Sequence, residues 1–382
     1  MNPNLVNSAK VGDSIESGYF VFTLMPSLYC ELNCPHCYLS KEQRRDKQTL
    51  SVDSLRLTCE KVDAYYRARG IKNKTIVCYW YGGEPTSMGA EYFTQAADAI
   101  NAVFSVEKGY QVRHTVLTSL VAVDLDVWLP LFRKYGHGEF QSSYDGLMRG
   151  KGYMRKWEAN IRRAIAEGMR VSTISVVNQA ILMDGPHKTI EYLTDLGIQE
   201  TSWLPFMLND QNNGTGAYEE YAPRMNEYSD FMIAMTKRWF ELRSAGAHPP
   251  EIGQMRFILH QGSGSALGNI AGQTLFLMPN GDFVLPDYKA GWHEFMQPFG
   301  NILEQSFEQV LHSEQRRKYL RRQILRNGNA ECLSCDRSSS CVMEFWKENR
   351  PGDDCFGAKR YVDWLFALDP KVRADFEGCV LY

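Results

Sequence analysis

The stretch LYCELNCPHCYLS, residues Leu28–Ser40, places Cys30, Cys34 and Cys37 within eight residues. Their spacing is C-x3-C-x2-C. A structural zinc ion requires four ligands in a tetrahedron, so three thiolates leave one position unfilled. Three cysteines in a tight loop suit a [4Fe-4S] cluster whose fourth iron stays open to another ligand. The alternative is a zinc ion that takes its fourth ligand from a distant residue.

The composition is that of a globular protein. The chain has 382 residues, of which 44% are hydrophobic and 23% are charged. The net charge of -3 gives no basic footprint for nucleic-acid binding. No apolar run approaches about 18 residues, and the N-terminal segment lacks the apolar core of a signal peptide. We therefore expect a cytoplasmic protein with reduced thiols that binds neither nucleic acid nor membrane.

Six short runs rich in β-branched and aromatic residues alternate with helical patterns. The predicted strands are Tyr19–Met25, Thr75–Tyr81, Val112–Thr118, Glu139–Tyr144, Arg170–Val177 and Thr201–Met207. Helical spacing is clearest at Val52–Ala68, Ala90–Phe104 and Trp157–Glu167, and a long helical stretch covers Arg224–Ser244. This alternation predicts an α/β fold, a partial or full (β/α)6 TIM-type barrel with its active site at the carboxyl ends of the strands.

A second group of cysteines lies near the C-terminus: Cys332, Cys335, Cys341 and Cys355, spaced C-x2-C-x5-C-x13-C. Four thiolates close a metal centre, and structural zinc and a [4Fe-4S] cluster fit this spacing equally. A predicted hairpin over Leu275–Leu285, with Asn280-Gly281 in its turn, and a helical stretch over Ser306–Arg326 precede this group. We place the domain boundary near residue 245, which gives domains of residues 1–245 and 246–382.

Polar motifs follow several of the predicted strands. After the second strand, Gly82 and Gly83 allow close approach of the backbone to a ligand, and Glu84 can accept from an ammonium group. Other candidates stand after the third, fourth and fifth strands: Thr118 in VLTSL, Ser143 and Asp145 in SSYDG, and Asn178. Taken singly, each motif is an ordinary turn or cap.

With the cysteine loop after the first strand and GGEP after the second, the chain resembles the radical S-adenosylmethionine (SAM) superfamily. The resemblance implies that SAM chelates the open iron of the first [4Fe-4S] cluster. One electron then yields a 5'-deoxyadenosyl radical that abstracts hydrogen from the substrate, and an external flavodoxin or ferredoxin supplies that electron. It also implies the SAM contacts Gly82, Gly83, Glu84, Thr118, Ser143, Asp145 and Asn178.

Two details of this resemblance concern single positions. Arg149 resembles an arginine often found just after Ser-x-Asp-Gly, although the loop is shorter here. Many relatives read Thr-Asn-Gly where this sequence has Thr118-Ser119-Leu120.

The C-terminal cysteines resemble the SPASM extension of radical SAM enzymes, which usually holds two auxiliary clusters. Pro286 and Phe345 stand where that extension has cysteines. The resemblance therefore implies a smaller, twitch-like domain with one auxiliary [4Fe-4S] cluster on Cys332, Cys335, Cys341 and Cys355. Asp287 occupies the place of an aspartate that acts as base in relatives that oxidise sulfatases. The alternative is a surface aspartate in a loop.

Enzymes with this extension often modify peptides by crosslinking, epimerisation or side-chain oxidation. The segment GQMRFILHQG, Gly253–Gly262, is similar to the sulfatase-maturase-like branch. We therefore expect a peptide or protein side chain as substrate. A small molecule, such as a sugar in antibiotic biosynthesis or a tetrapyrrole side chain, is the alternative. A non-catalytic zinc-binding scaffold is a more remote one.

Overall fold

The computed structural model describes residues 14–209, 211–259, 270–285, 296–325, 328–337 and 351–369. Asp287 and Cys341, predicted as a base and as a cluster ligand, lie outside these ranges, as do Pro286 and Phe345.

Ten strands of the described residues form one sheet at the centre of the molecule. They are β1 (Tyr19–Leu24), β2 (Lys74–Trp80), β3 (Tyr110–Thr118), β4 (Glu139–Ser143), β5 (Arg170–Val177), β6 (Glu200–Pro205), β7 (Glu251–Ile252), β8 (Thr274–Leu277), β9 (Asp282–Val284) and β10 (Pro298–Asn301). Their spatial order is β10-β9-β8-β1-β2-β3-β4-β5-β6-β7. Neighbours from β8 through β1 to β7 pair in parallel, whereas β9 is antiparallel to β8 and β10. The predicted partial (β/α)6 barrel is confirmed.

Helices cover the outer face of the sheet. Those in the described residues are α1 (Lys41–Arg45), α2 (Val52–Ala68), α3 (Ala90–Val103), α4 (Leu125–Gly136), α5 (Lys151–Ala166), α6 (Gln179–Asp184), α7 (Pro186–Leu196), α8 (Ala217–Tyr221), α9 (Met225–Ser244), α10 (Gly253–Leu259), α11 (Ile270–Gln273), α12 (Phe307–Leu311), α13 (Glu314–Ile324), α14 (Ala330–Ser334) and α15 (Lys359–Phe366). None of these helices is long and apolar enough to span a lipid bilayer.

Strand β2 illustrates how the sequence pattern builds the core. Ile76, Cys78 and Trp80 are fully buried in the main hydrophobic core, while the alternate residues Tyr79 and Tyr81 are only partly buried. Successive side chains of a strand point to opposite faces, so one face packs against helices and the other faces the barrel interior. The barrel interior is therefore accessible to solvent, because the barrel is not completely closed.

The C-terminal part of the chain continues the barrel sheet. Strand β8 pairs in parallel with β1, placing Leu277 beside Leu24. The ammonium of Lys61, on α2, donates to the carbonyl oxygens of Ile302 and Gln305. The boundary near residue 245 stays a prediction, and hydrogen bonds of the sheet join residues on both sides of it.

The helical stretch predicted over Ser306–Arg326 contains two helices, α12 and α13. Ser306 caps α12, and its hydroxyl accepts from Gln309 N at 3.2 Å. Ser313 separates the helices, and its hydroxyl accepts from Arg316 N at 3.3 Å. A second side-chain cap starts a new helix at that point, because serine competes well for the free N–H groups of a first turn.

Candidate cofactor site at the carboxyl end of the barrel

An open cleft with about 1230 Å³ of empty space lies where strands β1 to β6 end. That volume includes solvent at the open mouth of the cleft. Its lining residues come from the cysteine loop and from the turns after the strands: Cys30, Leu32, Cys34, His36, Cys37, Tyr38, Leu39, Tyr81, Gly82, Gly83, Glu84, Leu117, Thr118, Ser119, Ser143, Asp145, Arg149, Ile174, Ser175, Val176, Leu204, Pro205, Met207 and Asn209.

The cysteine loop is held in place by the short helix that follows it. Cys30 N donates to Arg44 O at 3.0 Å, and the Arg44 guanidinium donates back to Leu32 O and to the Asn33 side chain. Ser40 caps α1 through a reciprocal pair of bonds with Gln43. Helix α1 therefore fixes the path of the loop that carries the three thiols.

Burial keeps these thiols protonated when no metal is bound. It raises the pKa of Cys30 to about 11 and that of Cys34 to about 12, and it also raises the pKa of Cys37. Metal binding at this loop must therefore release protons.

Within the described ranges, no three His, Cys, Asp or Glu side chains converge on a point that would hold a single ion. The ligands of a [4Fe-4S] cluster bind different irons, so they need not meet at one point. Cys30, Cys34 and Cys37 all line the cleft, where each thiolate can bind a different iron of a cluster. For the C-terminal cysteines, the ligand set includes Cys341 and extends beyond the described residues.

Gly82 and Gly83 let the turn after β2 press against the cysteine loop. Gly82 has a φ of +110°, and a Cβ there would lie 2.5 Å from Ser27 O. A Cβ on Gly83 would lie 2.2 Å from Tyr29 O, and Glu84 N donates to that same oxygen at 2.9 Å. The glycines are needed for contact with the cysteine loop itself, in addition to any contact with a ligand.

The Glu84 side chain joins this turn to the end of β3. Its Oε1 accepts from the Thr118 hydroxyl at 2.7 Å and from the Thr86 hydroxyl at 2.7 Å, and its Oε2 accepts from Ser119 N at 2.8 Å. Glu84 is only 4% exposed. Thr118 therefore acts on the site by orienting Glu84.

Leu120 occupies an unusual backbone conformation next to this network. Its φ is +59°, its side chain is fully buried, and its N–H donates to the Thr118 hydroxyl oxygen at 3.0 Å. This left-handed region favours glycine. Leucine therefore holds a strained backbone conformation at this turn.

Asp145 lies at the centre of a buried charged group. Arg149 Nε donates to Asp145 Oδ2 at 2.6 Å, Val176 N donates to Asp145 Oδ1 at 2.8 Å, and His36 Nε2 lies 3.8 Å from Asp145 Oδ2. Burial alone would raise the pKa of Asp145, yet Arg149 and His36 hold it below its usual value. Burial alone would lower the pKa of Arg149, but Asp145 outweighs it and raises that pKa. Both side chains are therefore charged at neutral pH.

The predicted residues Ser143 and Asn178 occupy different environments. Ser143 lines the cleft, whereas the preceding Ser142 is fully buried, donates to Thr118 O and accepts from Trp157 Nε1. Asn178 is fully buried and caps α6, accepting from Ala180 N. Its amide nitrogen donates to the backbone oxygens of Asp145 and Val176. Asn178 is not among the residues that line the cleft, so a contact with adenosine stays a prediction.

Two buried polar atoms of residues that line the cleft have no hydrogen-bond partner within the described ranges: His36 Nδ1 and Ser119 Oγ. The cleft also has an apolar wall, which includes Leu117, Ile174, Val176 and Leu204. Buried polar atoms normally find partners, so this lining suits a ligand that has both polar groups and an apolar face. SAM has that character, and the residues present fit it.

Sequence reasoning missed some of these residues. His36 lies inside the cysteine motif and Ser119 inside VLTSL, so both stood in stretches already singled out. Arg149 resembled a family arginine, and its place beside Asp145 depends on the turn at 146–149.

The C-terminal cysteines that the structure describes are partly buried. Cys332 lies in α14, where its N–H and that of Glu331 donate to the Asn329 cap. Cys335 follows that helix, and its sulfur accepts from Arg337 N at 3.4 Å. Cys355 precedes α15.

Comparison with known proteins agrees with this geometry. A family profile described as the radical SAM superfamily matches residues 24–201, and SPASM, described as an iron-sulfur cluster-binding domain, matches residues 269–336. A solved structure of native anSMEcpe with bound AdoMet and Kp18Cys peptide has a TM-score of 0.73 at 15% identity, covering 94% of this chain and 99% of that chain. Streptococcus suis SuiB bound to precursor peptide SuiA has a TM-score of 0.59 at 16% identity, covering 85% of this chain and 71% of that chain.

At such identities the two solved structures show the fold alone, and the two profiles carry the family assignment. The predicted cofactors, a [4Fe-4S] cluster, SAM and an auxiliary iron-sulfur centre, are confirmed at the level of these domains. That the auxiliary centre is a single cluster stays a prediction. The chain carries a radical SAM domain over residues 24–201 and a SPASM iron-sulfur domain over residues 269–336.

Proposed function

We propose that this radical SAM enzyme modifies a side chain of a peptide or protein. The observation that carries the proposal is the open side of the barrel. Strand β7 pairs with β6 only at Glu200 and Thr201. Beyond that pairing, Leu204, Pro205 and Met207 line the cleft. An extended chain can therefore reach the cofactor cleft from the side.

The remaining edge of β6 is partly covered by one side chain. The Gln254 amide accepts from Trp203 N at 3.0 Å and donates to Trp203 O at 2.6 Å, as a neighbouring strand would. Leu204 and Pro205 pair with β5 on one edge, and on the edge that faces β7 they pair with no strand of the described residues. Unpaired strand edges are common docking sites for extended peptides.

The solved structures with this fold also support a peptide substrate. One is anSMEcpe with a bound Kp18Cys peptide and another is SuiB with its precursor peptide. The likeness to anSMEcpe covers nearly the whole of both chains, including the C-terminal extension.

When bound, the cluster and SAM supply a radical that abstracts hydrogen from the substrate. In our proposal, Cys30, Cys34 and Cys37 hold the cluster, and the Gly82-Gly83-Glu84 turn fixes their loop. The charged pair of Asp145 and Arg149 stays buried beside the cysteines, where it orients the polar part of SAM. The apolar wall excludes water that would quench the reaction. Asp287 remains our prediction for the base that takes a proton from the oxidised substrate.

Deuterium transfer tests this proposal. Peptides encoded by short reading frames beside the gene would be synthesised with deuterated side chains and incubated anaerobically with the reconstituted enzyme, SAM and dithionite. We expect deuterium in the deoxyadenosine formed and a changed peptide mass. The Cys30, Cys34, Cys37→Ala triple variant is the control and should form no deoxyadenosine.

The alternatives give different results. Deuterium transfer from a labelled sugar or tetrapyrrole, with none from any peptide, would overturn the peptide assignment. Zinc in place of iron, with SAM left intact, would support a non-catalytic scaffold instead.

A further inference from the structure

One side of the cleft is formed by the rings of Tyr38 and Tyr81, which we call the tyrosine wall. Tyr38 directly follows Cys37, and Tyr81 directly precedes the Gly82-Gly83 turn. The two ring centroids lie 6.3 Å apart, and the ring planes are inclined by 23°. The Tyr79 ring continues this near-parallel arrangement, 5.8 Å from Tyr81 and inclined by 21°. Three aromatic rings therefore follow one another from the cysteine loop into the barrel interior.

Residues at the ends of β1 and β8 support the tyrosine wall. Phe276 on β8 meets Tyr81 edge to face, with ring centroids 6.3 Å apart and ring planes at 80°. Met25 is fully buried, and Met278 packs against the same small hydrophobic cluster as the two tyrosines. Tyr38 and Tyr81 themselves are only partly buried. Their rings are therefore held in place and are still accessible from the cleft.

The charged side chains that line the cleft are already paired. Asp145 and Arg149 form the buried pair described above, and Glu84 accepts from the Thr118 hydroxyl and from Ser119 N. A charged substrate group that entered the cleft would lose its hydration, with no unpaired opposite charge among the described lining residues. The cleft therefore favours an uncharged substrate side chain.

The tyrosine wall is separate from the side of the cleft that we assign to SAM. Asp145 follows β4, and the apolar wall includes Val176 on β5 and Leu204 on β6. In the sheet, these three strands lie on the opposite side of β2 from β8. The tyrosine wall, which packs towards β8, can therefore contact a substrate while SAM occupies the other side.

We infer that the tyrosine wall is a subsite for an uncharged aromatic side chain of the substrate. The inference rests on the proposed function, because that side chain belongs to the peptide that the enzyme modifies. Aromatic rings prefer offset-stacked or edge-to-face contacts with centroids about 4.5–7 Å apart, and such contacts are favourable beyond the area they bury. The contacts of Tyr81 with Tyr38 and Phe276 already have these distances, so an incoming ring extends the same arrangement. An aliphatic side chain would be stabilised by burial alone.

The test measures binding of blocked amino acids to the full-length reconstituted enzyme with SAM, without a reductant and therefore without turnover. The probes are N-acetyl-L-tyrosinamide, N-acetyl-L-leucinamide and N-acetyl-L-lysinamide, titrated anaerobically and followed by saturation-transfer NMR. We expect the tyrosine probe to bind most tightly. Tyr81→Leu should weaken binding of the tyrosine probe about fivefold, equivalent to about 1 kcal/mol, and leave the leucine probe nearly unchanged. Tyr81→Phe keeps the ring and should bind the probes as the wild type does.

Two further variants make the measurement specific. Tyr19→Leu is the matched control, because Tyr19 begins β1 at the other end of the barrel and is 42% exposed. It should not change the affinity for any probe. Phe276→Leu removes the edge-to-face partner of Tyr81 from β8, at a distance in sequence from the cysteine loop and its turn. It should also lower the preference for the tyrosine probe over the leucine probe, and it decides the question if Tyr81→Leu loses iron or does not fold.

The inference would be overturned if the wild type showed no preference for the tyrosine probe, including no binding of any probe. A preference that survived both in Tyr81→Leu and in Phe276→Leu would also overturn it. Deuterium transfer from a peptide without an aromatic residue would support the proposed function and contradict the aromatic subsite. If the probes bind as expected and no peptide transfers deuterium, the proposed function fails and the aromatic subsite stands.

Discussion

Glu84 Oε2 accepts a 2.8 Å hydrogen bond from the backbone N–H of Ser119, which lies 35 residues further along the chain. The bond joins the turn after β2 to the turn after β3. Because Glu84 N also donates to Tyr29 O, the cysteine loop belongs to the same unit. Three consecutive strand ends are thus locked together around one buried carboxylate.

Removal of the Glu84 carboxylate should lower the free energy of unfolding. Glu84→Ala leaves the Thr86 and Thr118 hydroxyls and Ser119 N without their buried acceptor, and each unsatisfied group costs about 1–3 kcal/mol. We expect a loss of at least about 3 kcal/mol in urea unfolding, together with weaker SAM binding in anaerobic dialysis. Glu91→Ala, at an exposed position on α3, is the control. Equal stabilities of the two variants would contradict the role given to Glu84.

Gly83→Ala should detach the cysteine loop. The new Cβ would lie 2.2 Å from Tyr29 O, so the backbone must move apart. We expect the variant to lose about four of roughly eight irons, those of one [4Fe-4S] cluster, and to stop cleaving SAM. Gly152→Ala on α5 meets no atom within 4 Å and should keep its iron. Full iron content in Gly83→Ala would argue against this packing.

For the buried pair of Asp145 and Arg149, we expect a second substitution to restore stability but not SAM cleavage. Arg149→Met leaves a buried carboxylate without its partner, which costs about 3–5 kcal/mol. Asp145→Asn combined with Arg149→Met should recover a large part of that stability, while SAM cleavage stays low in both proteins. Urea unfolding and deoxyadenosine assays measure the two effects. Independent, additive losses of stability would show that the two side chains are not coupled.

Leu120 allows a test in which substitution by glycine should destabilise the protein less than substitution by alanine, the reverse of the usual order. Leu120→Ala and Leu120→Gly both lose a buried side chain, and such losses cost about 2–5 kcal/mol. Glycine also relieves the left-handed strain, worth about 1–2 kcal/mol. We therefore expect Leu120→Gly to be more stable than Leu120→Ala by about 1 kcal/mol in thermal or urea unfolding. A more stable alanine variant would contradict a φ of +59° at this residue.

His114 should make the protein less stable in acid. It is buried, accepts from Trp80 Nε1 at 3.1 Å, and burial lowers its pKa from 6.5 to about 4. His114 therefore stays unprotonated in the native state at pH values below 6.5, where it binds a proton in the unfolded chain. Stability is full above that pH and falls as the pH drops towards 4, by about 2 kcal/mol at pH 5.

His114→Gln removes this titration. The stability difference between pH 7.5 and pH 5 should be smaller in the variant than in the wild type by about 2 kcal/mol, measured by urea unfolding. His36 has a similarly lowered pKa, but it is present in both proteins and cancels. Equal pH dependence in the two proteins would refute the assignment.

Most of the barrel was predictable from sequence, because its signals are local. The predicted strand Arg170–Val177 and the predicted helix Val52–Ala68 have the bounds that the structure gives them. In both, the spacing of apolar residues matches the period of the element, and Ser51 caps the helix. The helical stretch predicted over Ser306–Arg326 is divided by the cap at Ser313, an effect too small to alter the apolar pattern.

An iron-sulfur cofactor could be predicted from sequence, because the spacing of Cys30, Cys34 and Cys37 is a property of eight consecutive residues. Which polar side chains face the cleft and which support the fold depends on the tertiary structure. Asn178 matched a family position, yet in the fold it is a fully buried helix cap. Glu84 depends on Thr118 and Ser119, which are distant in sequence, and such hydrogen bonds form only when folding brings those atoms within about 3 Å.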